Sequence, residues 1–453
     1  MSFVLRRTLL MRIYFLITLV NLLVVFLSRG PIEGDARQLD EHVKGSDWYG
    51  PLPPLLYGRW PINGENWDLT LSLVQVLSFC IGFFLLINLS ALHFRLLEAT
   101  LQLCIYWVGM VFCSQLWRDS SLLAFMILGF GLIRFSLRSH KRFRHFYFAI
   151  GLALILFAST FKFIFAPIIS LLLLLYLRKE VRFDRKMILV LITLVLSTSF
   201  VPYLVNKSLS NWMSLDKSFP EQQPIIFDIT SIYCWGSSPE SNALAIKALS
   251  VLKKPNYPDP VICSSLEPTG WDTLRTDRPL WEYSSPLRPL TNEKDVRILI
   301  QDWLDLIVNY PQEYIEIKFI QSTQVLSMAN ALGPRTTRNL EFLSENSNVN
   351  YLIEFLTKLP RMLDKLRVFS LAFLFVIVLL TLLSFSHTHK VSFLKALKQE
   401  MELFLLLSCI MFQVGLTTIS FVSNNGRYSL PFVVMEYIYF LNILEKKKSL
   451  VNH

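Results

Sequence analysis

A helix that crosses a bilayer needs about 20 mainly apolar residues, and this chain supplies that length repeatedly. Clear runs are Leu9–Ser28, Leu69–Leu92, Leu101–Trp117, Ser120–Phe135, Met187–Val205, Arg367–Phe385 and Leu403–Val422. Of the 453 residues, 53% are hydrophobic and only 17% charged, against about 25% charged in an ordinary soluble domain. With 35 Phe, 10 Trp and 16 Tyr beside 16 Gly, the composition excludes a disordered or collagen-like chain. The first run follows Arg6, Arg7 and Arg12 as a signal sequence would. No small-x-small cleavage site follows at Ser28-Arg29-Gly30-Pro31, so the run reads as an uncleaved first span.

Three shorter runs are assigned by their basic flanks. Phe146–Phe161 and Phe163–Leu177 are separated only by Lys162. Arg134, Arg138, Lys141, Arg142 and Arg144 precede the first of them, and Arg178, Lys179, Arg182, Arg185 and Lys186 follow the second. Both clusters belong in the cytoplasm, so the chain crosses twice between them and Lys162 sits at an outer turn. With Leu430–Leu444 added, the reading is an all-α polytopic membrane protein of ten spans, both termini cytoplasmic. Three regions follow: an N-terminal transmembrane module of seven spans (1–205), an extracytoplasmic domain (206–365) and a C-terminal module of three spans (366–453) with a basic tail.

The same topology explains the net charge of +10. Of 44 Lys and Arg, 20 fall in the cytoplasmic segments, 7 in the short outer ones, and 17 in or beside the 206–365 domain, where 19 acids offset them. The basic balance therefore records orientation and gives no support for a nucleic-acid partner.

Within 206–365, Pro224–Thr230 reads as a short strand. Ser238-Pro239-Glu240 opens a helix over 239–254, Thr291 precedes another over 292–309, and Pro311 begins a third that Gly333 closes. Segment 255–290, rich in Pro, Ser and Trp, reads as ordered loop. Cys80, Cys104, Cys113 and Cys409 lie in apolar runs and read as small core residues. Cys234 and Cys263 lie in the polar domain and can pair if it is extracytoplasmic. There is no Cys-x-x-Cys spacing, and His93, His140, His145, His387 and His389 fall on the cytoplasmic side among basic residues. Neither a metal site nor a catalytic triad is indicated, and no Gly-rich phosphate loop occurs.

The outer segments hold the chemistry. Glu33, Asp35 and Asp40 follow the first span closely. Arg118 and Asp119 occupy the tight turn between the third and fourth spans, where Asp119 can cap a helix and Arg118 can meet a lipid phosphate. Lys162 interrupts 32 mostly apolar residues, either snorkelling to the interface or offering a point charge to phosphate. Arg427 and Tyr428 precede Pro431 at the start of the last span. Acids at 33–35 and 119 with cations at 118, 162 and 427 make a site of mixed sign, suited to a lipid-linked phosphate donor. The cations hold the phosphate and stabilise charge as it leaves, while a carboxylate deprotonates the attacking hydroxyl.

This layout resembles the GT-C superfamily of polytopic glycosyltransferases that use polyprenyl-phosphate sugars. The resemblance rests on Glu33-Gly34-Asp35, similar to that superfamily's modified Asp-x-Asp signature, and on Trp117-Arg118-Asp119 and Arg427-Tyr428. The large outer domain adds to it, as does Gln301–Tyr314, which is similar to a stretch in poorly characterised bacterial members. It covers the spans, roughly two-thirds of the chain, with motifs of low specificity. It implies a multi-pass bacterial plasma-membrane enzyme of cell-envelope glycan biosynthesis that inverts the sugar's anomeric configuration. Its partners would be a polyprenyl-phosphate-linked sugar donor, membrane lipids and an extracytoplasmic acceptor. Asp35 would be the base, in competition with Glu33 and Asp40, and Asp119 a further catalytic acid offered to a sugar hydroxyl. Arg118, Lys162, Arg427 and Tyr428 would bind the donor phosphate. Members differ in whether a divalent metal assists. Two other readings fit the same outline: a polymerase or ligase of lipid-linked glycans relying on outer-loop Arg, and a transporter or flippase of such lipids.

Overall fold

The computed structural model describes residues 3–27, 67–87, 96–113, 118–138, 141–162, 165–178, 185–212, 219, 222–252, 263, 287, 290–327, 370–388, 390, 392, 396, 400–420 and 429–451. Among them every regular element is an α-helix. In chain order these are α1 (Phe3–Leu27), α2 (Trp67–Leu86), α3 (Leu96–Cys113), α4 (Arg118–Arg138), α5 (Lys141–Phe161), α6 (Ala166–Arg178) and α7 (Arg185–Trp212). They continue with α8 (Gln222–Trp235), α9 (Pro239–Ser250), α10 (Glu293–Asn309), α11 (Pro311–Ser327), α12 (Leu371–Thr388), α13 (Met401–Ser420) and α14 (Leu430–Val451).

Among the described residues, five helical stretches are long and apolar enough to cross a membrane: Leu69–Leu86, Asp119–Arg138, Phe143–Phe161, Leu371–Thr388 and Met401–Thr418. Leu9–Leu23, Glu98–Cys113, Ala166–Leu177 and Leu430–Leu444 are shorter apolar helices packed with them. The chain is thus compatible with a multi-pass membrane protein.

Side-chain contacts give the direction of each helix. Thr18 and Tyr14 on α1 meet Cys80 and Phe84 on α2, so these two run antiparallel. Gln75 bonds Ser121 near the start of α4, and Arg134 donates to the Leu86 carbonyl near its end, so α2 and α4 run parallel. Helix α5 returns antiparallel to α4, with Phe157 on Phe125 and Tyr147 on Phe135. Phe165 on Phe432 and Tyr176 on Tyr439 align α6 with α14. The chain therefore reverses at Lys162, as the basic flanks predict. The starts of α2, α4, α6 and α14 and the ends of α1, α5 and α13 share one end of the bundle, here called the Asp119 end.

Glycine brings the central helices to backbone contact. A Cβ on Gly129 of α4 would lie 2.7 Å from the Gly151 carbonyl oxygen of α5. One on Gly82 of α2 would lie 2.5 Å from the Leu128 amide nitrogen of α4. Small residues that allow such approach drive helix association where lipid removes the hydrophobic incentive. Gly129→Ala is expected to cost about 1–3 kcal/mol by overpacking, lowering the Tm in detergent. Gly415→Ala is expected to leave it unchanged, because nothing lies within 4 Å of that added carbon.

Helices α8 to α11 form a second unit with its own core of Ile225, Ile229, Ile232, Leu249, Leu299 and Ile317. The strand expected over Pro224–Thr230 is instead the helix α8. Its apolar residues at 225, 229 and 232 recur at helical spacing and bury on one core, so packing overrides the β-branched composition. Ser238 caps α9, accepting from the Ser241 amide, and Pro239 takes the first helical position. Asn292, one residue after the expected Thr291, caps α10 by accepting from the Lys294 amide at 3.0 Å. Helix α11 begins at Pro311 as expected, while Gly333 and most of 255–290 lie outside the described residues. Buried Glu313 accepts from the Ser238 amide at 2.9 Å and the Ser241 hydroxyl at 2.5 Å, pinning α11 to the positive end of α9. Cys234 and Cys263 form a disulfide, as their polar setting anticipates.

Candidate functional site

Of the residues the sequence singles out, the structure brings Asp119 and Lys162 together. Asp119 lies in the first turn of α4, where the start of a helix favours an acid, and Lys162 is the residue after α5 ends. The Lys162 Nζ is 2.5 Å from Asp119 Oδ1, and both side chains are almost fully buried. Lys162 thus does not snorkel outwards; it turns into the bundle. Asp119 is a helical residue rather than the cap before one, so its carboxylate is available to the amine. The Lys162 ammonium also stands 5.9 Å from the centre of the Phe165 ring, which packs at 4.7 Å on Phe432 of α14.

The surroundings of this pair are polar for a membrane bundle. Gln75 on α2 donates to the Ser121 hydroxyl at 2.5 Å, and the Ser120 hydroxyl donates to the Phe112 carbonyl at 2.7 Å, tying α3 to α4. Gln413 on α13 donates to the Ser429 carbonyl at 3.2 Å, fixing the entry to α14. On α7, the Asn206 amide donates to the Thr160 carbonyl at 3.1 Å, closing the far side of α5. Arg118 starts α4 beside Asp119; its backbone alone is described. Glu33, Asp35, Asp40, Arg427 and Tyr428 lie outside the described residues. Their neighbours in sequence are placed: α1 ends and α2 begins at the Asp119 end, and so does α14.

Two features escape a reading of the sequence. The first is a buried cluster between the α8–α11 unit and the bundle. Lys318 of α11 lies 2.7 Å from Asp228 of α8 and donates to the Thr418 carbonyl of α13 at 3.2 Å. The Trp303 indole donates to Asp228 Oδ2 at 3.1 Å. Burial pushes the Tyr314 phenol up, and the neighbouring Asp228 carboxylate adds to that shift. Helix periodicity over 313–318 was the available signal, since it puts Tyr314 and Lys318 on one face. The second feature is Glu436, a fully buried acid on α14 set against the Cys409 thiol of α13. It is the single acid within the apolar run Leu430–Leu444, which alone marks it as unusual.

Chemically, the Asp119 end holds a buried ammonium and a buried carboxylate that compensate one another's charge. No group of three or more His, Cys, Asp or Glu arranged for a metal ion occurs among the described residues. Comparison with protein-family models, with curated proteins and with solved structures finds no match.

Proposed function

We propose that this chain is an integral membrane glycosyltransferase of GT-C type. In this reading ten spans frame a cleft on the outer face, and the enzyme transfers a sugar from a polyprenyl-phosphate donor to an extracytoplasmic acceptor. The observation that supports it is the burial of Lys162 against Asp119 at the end of the bundle from which the 28–66 and 421–428 segments emerge. An amine fixed at the edge of an apolar bundle suits a ligand whose tail lies in lipid and whose phosphate lies at the surface.

The roles divide by chemistry. Asp119 is engaged by the Lys162 ammonium and acts as a positioning residue for that amine. Lys162, with Arg118 and Arg427 from the flanking turns, holds the donor phosphate. Asp35, with Glu33 beside it, takes the proton from the acceptor hydroxyl. The acceptor oxygen bonds to the anomeric carbon as the carbon–oxygen bond to phosphate breaks, and the electron pair leaves with the polyprenyl phosphate. Attack from the face opposite the phosphate inverts the anomeric configuration.

Glu436 favours a second reading, a transporter or flippase of the same lipids, because buried intramembrane acids mark transport pathways. The two separate in proteoliposomes carrying a synthetic polyprenyl-phosphate sugar and an envelope glycan extract. Glycosyl transfer releases free polyprenyl phosphate together with acceptor carrying the inverted sugar. Movement of intact donor across the bilayer with no release selects the transporter. A polymerase or ligase would instead need a donor that already carries a glycan.

A further inference from the structure

Helix α11 has two faces of different character. Glu313, Tyr314, Ile317 and Lys318 turn towards the protein, whereas Ile315 and Phe319, one helical turn apart, are 63% and 68% exposed. Gln312 and Glu316, hydrogen-bonded to each other at 3.1 Å, border that stripe with polar groups. Two apolar side chains on one strip of α11 thus stand clear of the protein's own core.

The height of the stripe is fixed by its neighbour in sequence. Lys318 Nζ donates to the carbonyl of Thr418, in the last turn of the apolar helix α13. That bond holds the C-terminal half of α11 beside the end of α13. Helix α11 packs on α12 as well, a second spanning stretch. Both α12 and α13 present exposed apolar side chains, Phe373 and Val376 on one and Met411 and Phe412 on the other, as lipid-facing helices do. We propose that Ile315 and Phe319 continue this lipid-facing surface, so that α11 rests in the leaflet at the Asp119 end and phospholipid acyl chains cover its stripe. The α8–α11 unit is then held by two contacts of opposite kind, a buried ion pair inward and a lipid contact outward. This inference stands on α11 and the spans alone and does not depend on glycosyl transfer.

The test places p-benzoylphenylalanine at position 319, and separately at 315, in the full-length protein in nanodiscs of phosphatidylcholine and phosphatidylglycerol with alkyne-tagged chains. After irradiation, mass spectrometry is expected to show the protein heavier by one phospholipid at both positions. An adduct of twice the chain mass would mean that a second copy covers the stripe, and absence of any lipid adduct would mean that it faces water; either overturns the proposal. Thermal transitions check that each variant folds, and if position 319 does not tolerate the probe, the result at position 315 decides.

Discussion

Lys162→Met is expected to destabilise the bundle by about 3–5 kcal/mol, because it leaves the Asp119 carboxylate buried without its ammonium. The same loss is expected from Asp119→Leu. Replacing both at once removes both charges, and apolar pairs of similar volume in such places are neutral or stabilising by about 1–4 kcal/mol. The double variant Asp119→Leu/Lys162→Met should therefore recover a thermal transition near that of the unaltered protein, measured in detergent by tryptophan fluorescence. Function is predicted to move the other way. If Lys162 binds the donor phosphate, the recovered double variant still fails to release polyprenyl phosphate, and the defect lies in donor KM. Release at the normal rate by that variant would show the pair to be structural glue only, and the phosphate would have to be held by the arginines. Lys162→Arg keeps the charge and is expected to retain part of the activity.

Asp35→Asn carries the second large effect. A positioned general base contributes about 10²–10⁴-fold, so transfer is expected to fall by at least about a hundredfold while expression and the thermal transition stay unchanged. Glu33→Gln and Asp40→Asn are expected to fall less. The base also sets the pH response: activity should rise as a carboxyl group loses its proton, and Asp35→Asn should remove that acidic limb from its residual rate. Full activity in both Asp35→Asn and Asp40→Asn would remove the first outer loop from the chemistry and shift weight to Arg427, as a polymerase or ligase would require.

Much of the architecture was legible because lipid imposes simple rules. The basic clusters at 134–144 and 178–186 predict a reversal between them, and α5 and α6 do reverse at Lys162. Ser238-Pro239 marked the start of α9, since a cap acts on its own next few residues and needs no distant partner. The setting of Cys234 and Cys263 allowed a bond without requiring it, and the structure forms it. What stayed hidden depends on contacts far apart in sequence. Nothing near Asp228 predicts that its partner is Lys318, because a charged domain offers many candidates and only the packing of α11 under α8 chooses one. The strand reading of Pro224–Thr230 failed because β-branched residues serve either structure. Their spacing, 225 to 229 to 232, carried the answer more reliably than their identity. For the candidate site, sequence supplied the Asp119 and Lys162 identities but not their union, which requires two turns to meet across α4 and α5.

The position of α14 has a bearing on how the protein is made. Leu430, Phe432, Val433, Val434, Met435, Tyr437 and Ile438 are all buried, so this helix is enclosed around its whole circumference by α3, α4, α6, α12 and α13. The described helix that leaves the ribosome last is therefore central to the bundle. The start of α14 at 430 comes 252 residues after the end of α6 at 178. That is on the order of tens of seconds of synthesis at about 5–20 residues per second. Throughout that interval Phe165 and Tyr176 lack the Phe432 and Tyr439 rings on which they pack in the folded chain. A chain stopped before residue 430 would lack the helix against which α3, α4, α6, α12 and α13 all pack, leaving their inward apolar faces uncovered.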